Sequence, residues 1–193
     1  MKILFMKNIA VFGSGSGSNA ENICRFFSSS KQVQVVLIGT NKKDARITNR
    51  AKKLKVPLLV FSKNELNTFT KLHAVLLKTR VEYVILAGFL LKIPEKMLEL
   101  YKNKIINIHP SLLPKYGGKG MYGNNVHSSV LKNNDLFSGI TVHLVNENYD
   151  EGEILFQKKC AVDKGDDVSS LSKKIAKLEY LYFPKIINSF VLK

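Results

Sequence analysis

The chain has 193 residues, 45% of them hydrophobic and 23% charged. That balance is expected of one folded domain with a sizeable core, and no apolar run approaches the roughly 18 to 20 residues that cross a bilayer. The net charge of +15 raises a nucleic-acid partner, yet the excess is mostly lysine spread along the chain, with few arginines and no aromatic-interleaved stripe of the kind such binding uses; it is expected to solvate the surface and help attract a polyanionic small substrate.

In chain order, residues 1–6 form a short N-terminal extension, with Met1 or Met6 as the start. It is too short for a signal peptide and lacks a small-residue cleavage site. Residues 7–12 are an apolar strand, followed by the loop 13–18, after which Asn19 is expected to cap a helix reaching Phe27. Residues 33–39 form a β-branched strand, 45–54 a basic helix, 57–61 a third strand and 65–78 one amphipathic helix. A fourth strand, 83–87, stops at Gly88. Residues 94–101 form a short helix with Pro94 in its first turn, and 105–109 a fifth strand. Strands alternating with helices imply a parallel sheet with right-handed crossovers.

Past His109 the pattern changes. Residues 115–124 are a glycine-rich loop, followed by a short helix over 126–132, strands over 139–145 and 154–161, and a long helix over 168–191 that is broken or shifted at Pro184. Cys24 and Cys160 match no metal or redox spacing and are expected as free, buried thiols in a reducing compartment.

The loop Gly13-Ser14-Gly15-Ser16-Gly17-Ser18 lies between a strand and a helix. Glycines let backbone amides approach an anion, and a helix N-terminus adds a favourable dipole. Ser18 stands where a dinucleotide fingerprint has its third glycine, and no acidic residue closes the next strand. What remains is a phosphate nest or a flexible turn.

Asn107 and His109 are two apart on a strand, so their side chains emerge on one face. Together they resemble an oxyanion donor and a proton-transfer group; alternatively they satisfy local backbone at a strand end. Asp150 alone reads as a turn aspartate. It also follows a strand that could neighbour the one bearing His109, where a carboxylate raises an imidazole pKa and orients the ring. His73 is expected on the surface, His127 at a cleft, and His143 as structural.

Four motifs carry a resemblance over nearly the whole chain: the run 14–19, Leu86-Ala87-Gly88-Phe89, Asn107-Ile108-His109-Pro110-Ser111-Leu112-Leu113-Pro114, and Asp150-Glu151-Gly152. In this order and spacing they resemble the formyltransferase family, and the serine-glycine loop with its His-Pro-Ser-Leu-Leu-Pro context resembles the branch acting on glycinamide ribonucleotide.

The resemblance implies an α/β fold: a single-domain, Rossmann-like, mostly parallel sheet over 7–193 with helices on both faces, a C-terminal antiparallel strand and a long helix. It implies formyl transfer from N10-formyltetrahydrofolate, as co-substrate and without a metal, to the amine of glycinamide ribonucleotide in purine biosynthesis. Gly17, Ser18, Asn19 and Glu179 would bind the ribonucleotide. Leu90, Leu91, Lys92, Ile93 and Asn107 would bind the folate, and Asn107, His109 and Asp150 would be catalytic. In that role Asp150 makes His109 more basic, so that its imidazolium stabilises the oxyanion.

This chain departs from the family pattern at Leu91 and Lys92, where an arginine often follows Ala-Gly-Phe, and at Lys63 and Asn64, where some members have a folate-contacting arginine. The loop 117–125 is longer and lacks a histidine-rich tip; a lid is one role for 115–124. The expected protein is a cytoplasmic monomer or homodimer with no nucleic-acid or membrane partner. The alternatives are a formyltransferase acting on another amine such as methionyl-tRNA, or a non-catalytic nucleotide- or RNA-binding module. The first lacks a segment after the last helix for tRNA, and the second gives no reason for Asn107, His109 and Asp150 to occur together.

Overall fold

A computed structural model describes residues 6–193; the expected extension over 1–6 lies, Met6 apart, outside the described residues. The elements are β1 (Lys7–Phe12), α1 (Ser18–Phe27), β2 (Val33–Thr40), α2 (Arg46–Leu54), β3 (Leu58–Val60), α3 (Lys63–Thr68), α4 (Thr70–Lys78), β4 (Tyr83–Leu86), α5 (Glu95–Leu100), β5 (Ile105–His109), α6 (Asn124–Lys132), β6 (Phe137–Leu144), β7 (Ile154–Ala161) and α7 (Val168–Val191).

The seven strands make one sheet in the order β3-β2-β1-β4-β5-β6-β7. Strands β1 to β5 pair in parallel, whereas β5–β6 and β6–β7 are antiparallel. The period of two in β1 explains the layering. Ile9 and Val11 face a core shared with α1, α2, α6 and α7, while Ala10 and Phe12 face a second core with α3, α4 and α5. Parallel strands covered on both faces are apolar throughout, as Ile105 and Ile106 of β5 also show. The chain crosses from one side of β1 to the other between β2 and β4, and that reversal opens a crevice at the C-terminal strand ends.

Several expectations are corrected. The helix expected over 65–78 is two helices, because Phe69 takes a left-handed backbone (φ 56°). Its ring is buried by this turn, and His73, expected on the surface, is half-buried and stacked on it with centroids 5.3 Å apart. The N-cap of α1 is Gly17, not Asn19. Pro94 is the N-cap of α5 rather than a first-turn residue. Helix α7 continues through Pro184. Proline frees the carbonyl four residues earlier, here that of Tyr180, and Asn22 Nδ2 donates to it at 2.8 Å. Cys24 is buried, but Cys160 is only half-buried. Among the described residues no helix is long and apolar enough to cross a membrane.

Candidate active site

The C-terminal ends of β1, β4 and β5 surround a cavity of about 390 Å³, to whose wall α6 and α7 also contribute. Each strand delivers a different chemistry.

Strand β1 delivers the glycine loop. Gly17 ends it with φ 74°, and a Cβ there would stand 2.7 Å from Ile47, so both conformation and space call for glycine. The turn starts α1 at Ser18, with the helix N-terminus against the cavity. Ser14 Oγ donates to Asn41 Oδ1 (2.6 Å) and accepts from the Leu90 amide (3.0 Å), binding this loop to those after β2 and β4. Asn19 Nδ2 donates to Glu179 Oε2 at 2.8 Å. Burial raises the Glu179 carboxyl above its usual range, with Asn19 opposing.

Strand β4 delivers Ala87, Gly88, Phe89 and Leu90 to the cavity wall. Leu91, Lys92 and Ile93 do not line this cavity: Ile93 is buried in the second core and Lys92 is exposed.

Strand β5 delivers Asn107 and His109, both on the cavity. Its antiparallel partner places His143 opposite Asn107 and Thr141 opposite His109. Beyond β6 the chain turns back at Asp150, itself left-handed at φ 60°, a conformation aspartate tolerates. Gly152 completes the turn, because a Cβ there would meet the Leu144 carbonyl oxygen at 1.7 Å. Asp150 Oδ2 thereby lies 3.5 Å from His109 Nδ1, and Oδ1 lies 3.6 Å from His143 Nε2 and 3.4 Å from Asn107 Nδ2. Asn107 Nδ2 also stands 3.1 Å from His143 Nε2.

Proton positions follow from the partners. His143 Nδ1 faces the Leu144 carbonyl at 2.7 Å, which only accepts, so the proton sits there and Nε2 accepts from Asn107. His109 Nε2 faces the Tyr116 carbonyl at 2.7 Å and carries the proton. Burial depresses the His109 pKa below 6.5, outweighing the upward pull of Asp150 and of the Tyr116 hydrogen bond. The net effect corrects the expectation of a ring made more basic: Asp150 raises the pKa, but desolvation wins. Asp150 itself is desolvated, which raises its pKa, yet the neighbouring His143 and His109 rings and the Gly118 amide (2.9 Å) hold it below the usual value.

The loop 115–123 is thus tied to the polar cluster through Tyr116 and Gly118, while Tyr122 and Gly123 reach the cavity. The sequence reading missed His143, Tyr116 and Gly118 as partners. The β5–β6 register could have revealed His143; no local signal marks the two loop contacts, made by backbone. Among the described residues no group of three or more His, Cys, Asp or Glu is placed to hold a metal.

A Rossmann-like sheet, a helix N-terminus open to an anion, and an amide, a histidine and a carboxylate gathered at the end of β5 define a group-transfer protein of the α/β class. The chain belongs to the formyl transferase family, whose model matches residues 7–187. It is 39% identical over 189 residues to the chloroplastic phosphoribosylglycinamide formyltransferase of Arabidopsis thaliana, covering 95% of this chain and 65% of that protein. It thus spans just under two thirds of that plant relative. It is 35% identical to the phosphoribosylglycinamide formyltransferase of Bacillus subtilis, covering 96% of this chain and 95% of the relative. The crystal structure of phosphoribosylglycinamide formyltransferase from Bacillus halodurans superposes with a TM-score of 0.88 at 28% identity, covering 97% and 96% of the two chains.

Proposed function

We propose that this protein transfers the formyl group of N10-formyltetrahydrofolate to the amine of glycinamide ribonucleotide, a step of purine biosynthesis. The observation that carries the proposal is the convergence of Asn107, His109 and Asp150 beside the loop 13–19. The relatives named above support the choice of substrates.

The ribonucleotide phosphate docks at Gly17, Ser18 and Asn19, where backbone amides and the α1 dipole favour an anion. Glu179 accepts from the ribose hydroxyls, which compensate its desolvation. The folate lies against Leu90 and Asn107, in a segment that Leu91 and Ile93 anchor in the second core and that continues through the exposed Lys92. The amine nitrogen attacks the formyl carbon, and the former carbonyl oxygen becomes an oxyanion. Asn107 Nδ2 donates to it, an interaction worth about 3 to 4 kcal/mol in comparable sites. His109 donates a hydrogen bond from Nε2, exchanging the Tyr116 carbonyl for the oxyanion. Ionised Asp150, beside Nδ1, pulls the ring toward its charged form, the stronger donor. A water held at Asp150 takes the proton from the amine and passes it to N10 as the bond from the formyl carbon to N10 breaks. Formylated ribonucleotide and tetrahydrofolate leave.

The partners are therefore small molecules, and the reaction belongs in the cytoplasm, where Cys24 and Cys160 stay reduced. The test is a formyl-transfer assay with the pure protein and N10-formyltetrahydrofolate. Glycinamide ribonucleotide should be formylated and charged initiator methionyl-tRNA should not. Formylation of the tRNA alone, or of neither acceptor, overturns the proposal.

A further inference from the structure

His127 is only 3% exposed, yet it forms part of the cavity wall. Its Nδ1 is fully buried and has no hydrogen-bond partner among the described residues. Buried polar side-chain atoms are nearly always paired; Nδ1 is sealed from the cavity, whereas Nε2 is not among the fully buried atoms and makes no hydrogen bond among the described residues, so it is the atom left to meet a ligand there. The other orphan, Ser138 Oγ, does not line this cavity.

The place of the ring narrows what that ligand is. His127 sits on α6, which packs on α7. Helix α7 gives Ser172, Ile175, Ala176 and Glu179 to the same wall, and Glu179 holds Asn19 beside the glycine loop. His127 therefore belongs to the α1–α6–α7 end of the cavity rather than to the wall that follows β4. Burial alone displaces its pKa, downward from 6.5, so the ring is neutral near pH 7. A neutral imidazole offers one N–H and one lone pair, a set that suits sugar and phosphate oxygens.

We infer that His127 is a binding residue for the ribose-phosphate half of the amine substrate, hydrogen-bonding one of its oxygens through the imidazole. The inference rests on the function proposed above and adds a contact to it.

His127→Phe keeps an aromatic ring of similar size without the nitrogens, and His127→Gln keeps a donor and an acceptor. With the Phe variant the KM for glycinamide ribonucleotide should rise about five- to tenfold, the effect of one lost neutral hydrogen bond, while the KM for the folate stays within about twofold. The Gln variant should recover most of the loss. An unchanged ribonucleotide KM in His127→Phe, or a rise for the folate instead, overturns the inference. Imidazole NMR of the unaltered protein gives a second readout that needs no variant. Addition of glycinamide ribonucleotide without folate should shift the His127 nitrogen signals, and unmoved signals under saturation overturn the inference. An unaltered protein that formylates the ribonucleotide while His127 is silent refutes this contact alone; one that neither binds nor formylates it refutes both.

Discussion

Asp150 Oδ2 lies 3.5 Å from His109 Nδ1, although His109 ends β5 and Asp150 follows β6, 41 positions further along the chain. The carboxylate pulls the ring toward its charged form, and the burial of the ring pushes harder the other way. Asp150→Asn keeps the shape and removes the charge, so the His109 pKa should fall further below 6.5. Turnover should fall with it, since the oxyanion donor loses the carboxylate that pulls it toward its charged form. Imidazole NMR titration of both proteins measures the first effect and steady-state kinetics the second. An unchanged titration together with full activity would reduce Asp150 to a turn residue.

His109→Ala removes the ring that faces both Asp150 and the Tyr116 carbonyl. Turnover should drop by at least about a hundredfold, the scale of a lost proton-transfer or oxyanion donor, while circular dichroism shows the fold retained. Near-normal turnover of the pure variant would take His109 out of the mechanism.

Ser18→Asp places a negative charge at the N-terminus of α1, where a phosphate is expected to dock. The ribonucleotide KM should rise strongly with little change for the folate; the reverse pattern would mean that the two halves of the cavity have been exchanged. Gly17→Val behaves differently. Its left-handed backbone and the 2.7 Å approach to Ile47 make it a stability mutant, with about 1–3 kcal/mol lost to backbone strain alone. Calorimetric unfolding should show a lowered Tm, and a parental Tm would contradict the close packing of that turn.

Stability should depend on pH through the buried histidines. Burial lowers the pKa of His109 and of His127 below 6.5. Between the folded and unfolded pKa values the unfolded chain binds more protons, so stability falls as pH drops through 6.5 and levels off below the folded values. Asp150 adds a second loss at lower pH: its depressed pKa contributes stability that is present above 3.8 and declines as pH falls through the folded value. Thermal unfolding followed from about pH 8 to pH 4 should show the Tm falling below about pH 6.5. The decline should be shallower in His127→Gln. Equal slopes in parent and variant would show that His127 takes up its proton as easily folded as unfolded.

The order of strands and helices was legible because each element carries its own periodicity: Ile9 and Val11 alternate with Ala10 and Phe12, and the first five strands are separated by helical segments. Asn107 and His109 were legible as a pair because a strand repeats every two residues, and Gly17 because the loop between β1 and α1 is glycine-rich. The tertiary structure decided whatever depends on partners distant in the chain. Helix α7 runs through Pro184 because Asn22 of α1 takes the Tyr180 carbonyl. The amphipathic stretch 65–78 breaks because the buried Phe69 turns left-handed, which its periodicity does not encode. Asn19 serves Glu179 rather than its own helix end. The β5–β6 register brings His143 to Asn107, and the loop 115–123 contributes the backbone of Tyr116 and Gly118 to His109 and Asp150. Asp150 pulls the His109 pKa upward as expected, and desolvation outweighs that pull, because burial is a property of the assembled fold and not of neighbours in sequence.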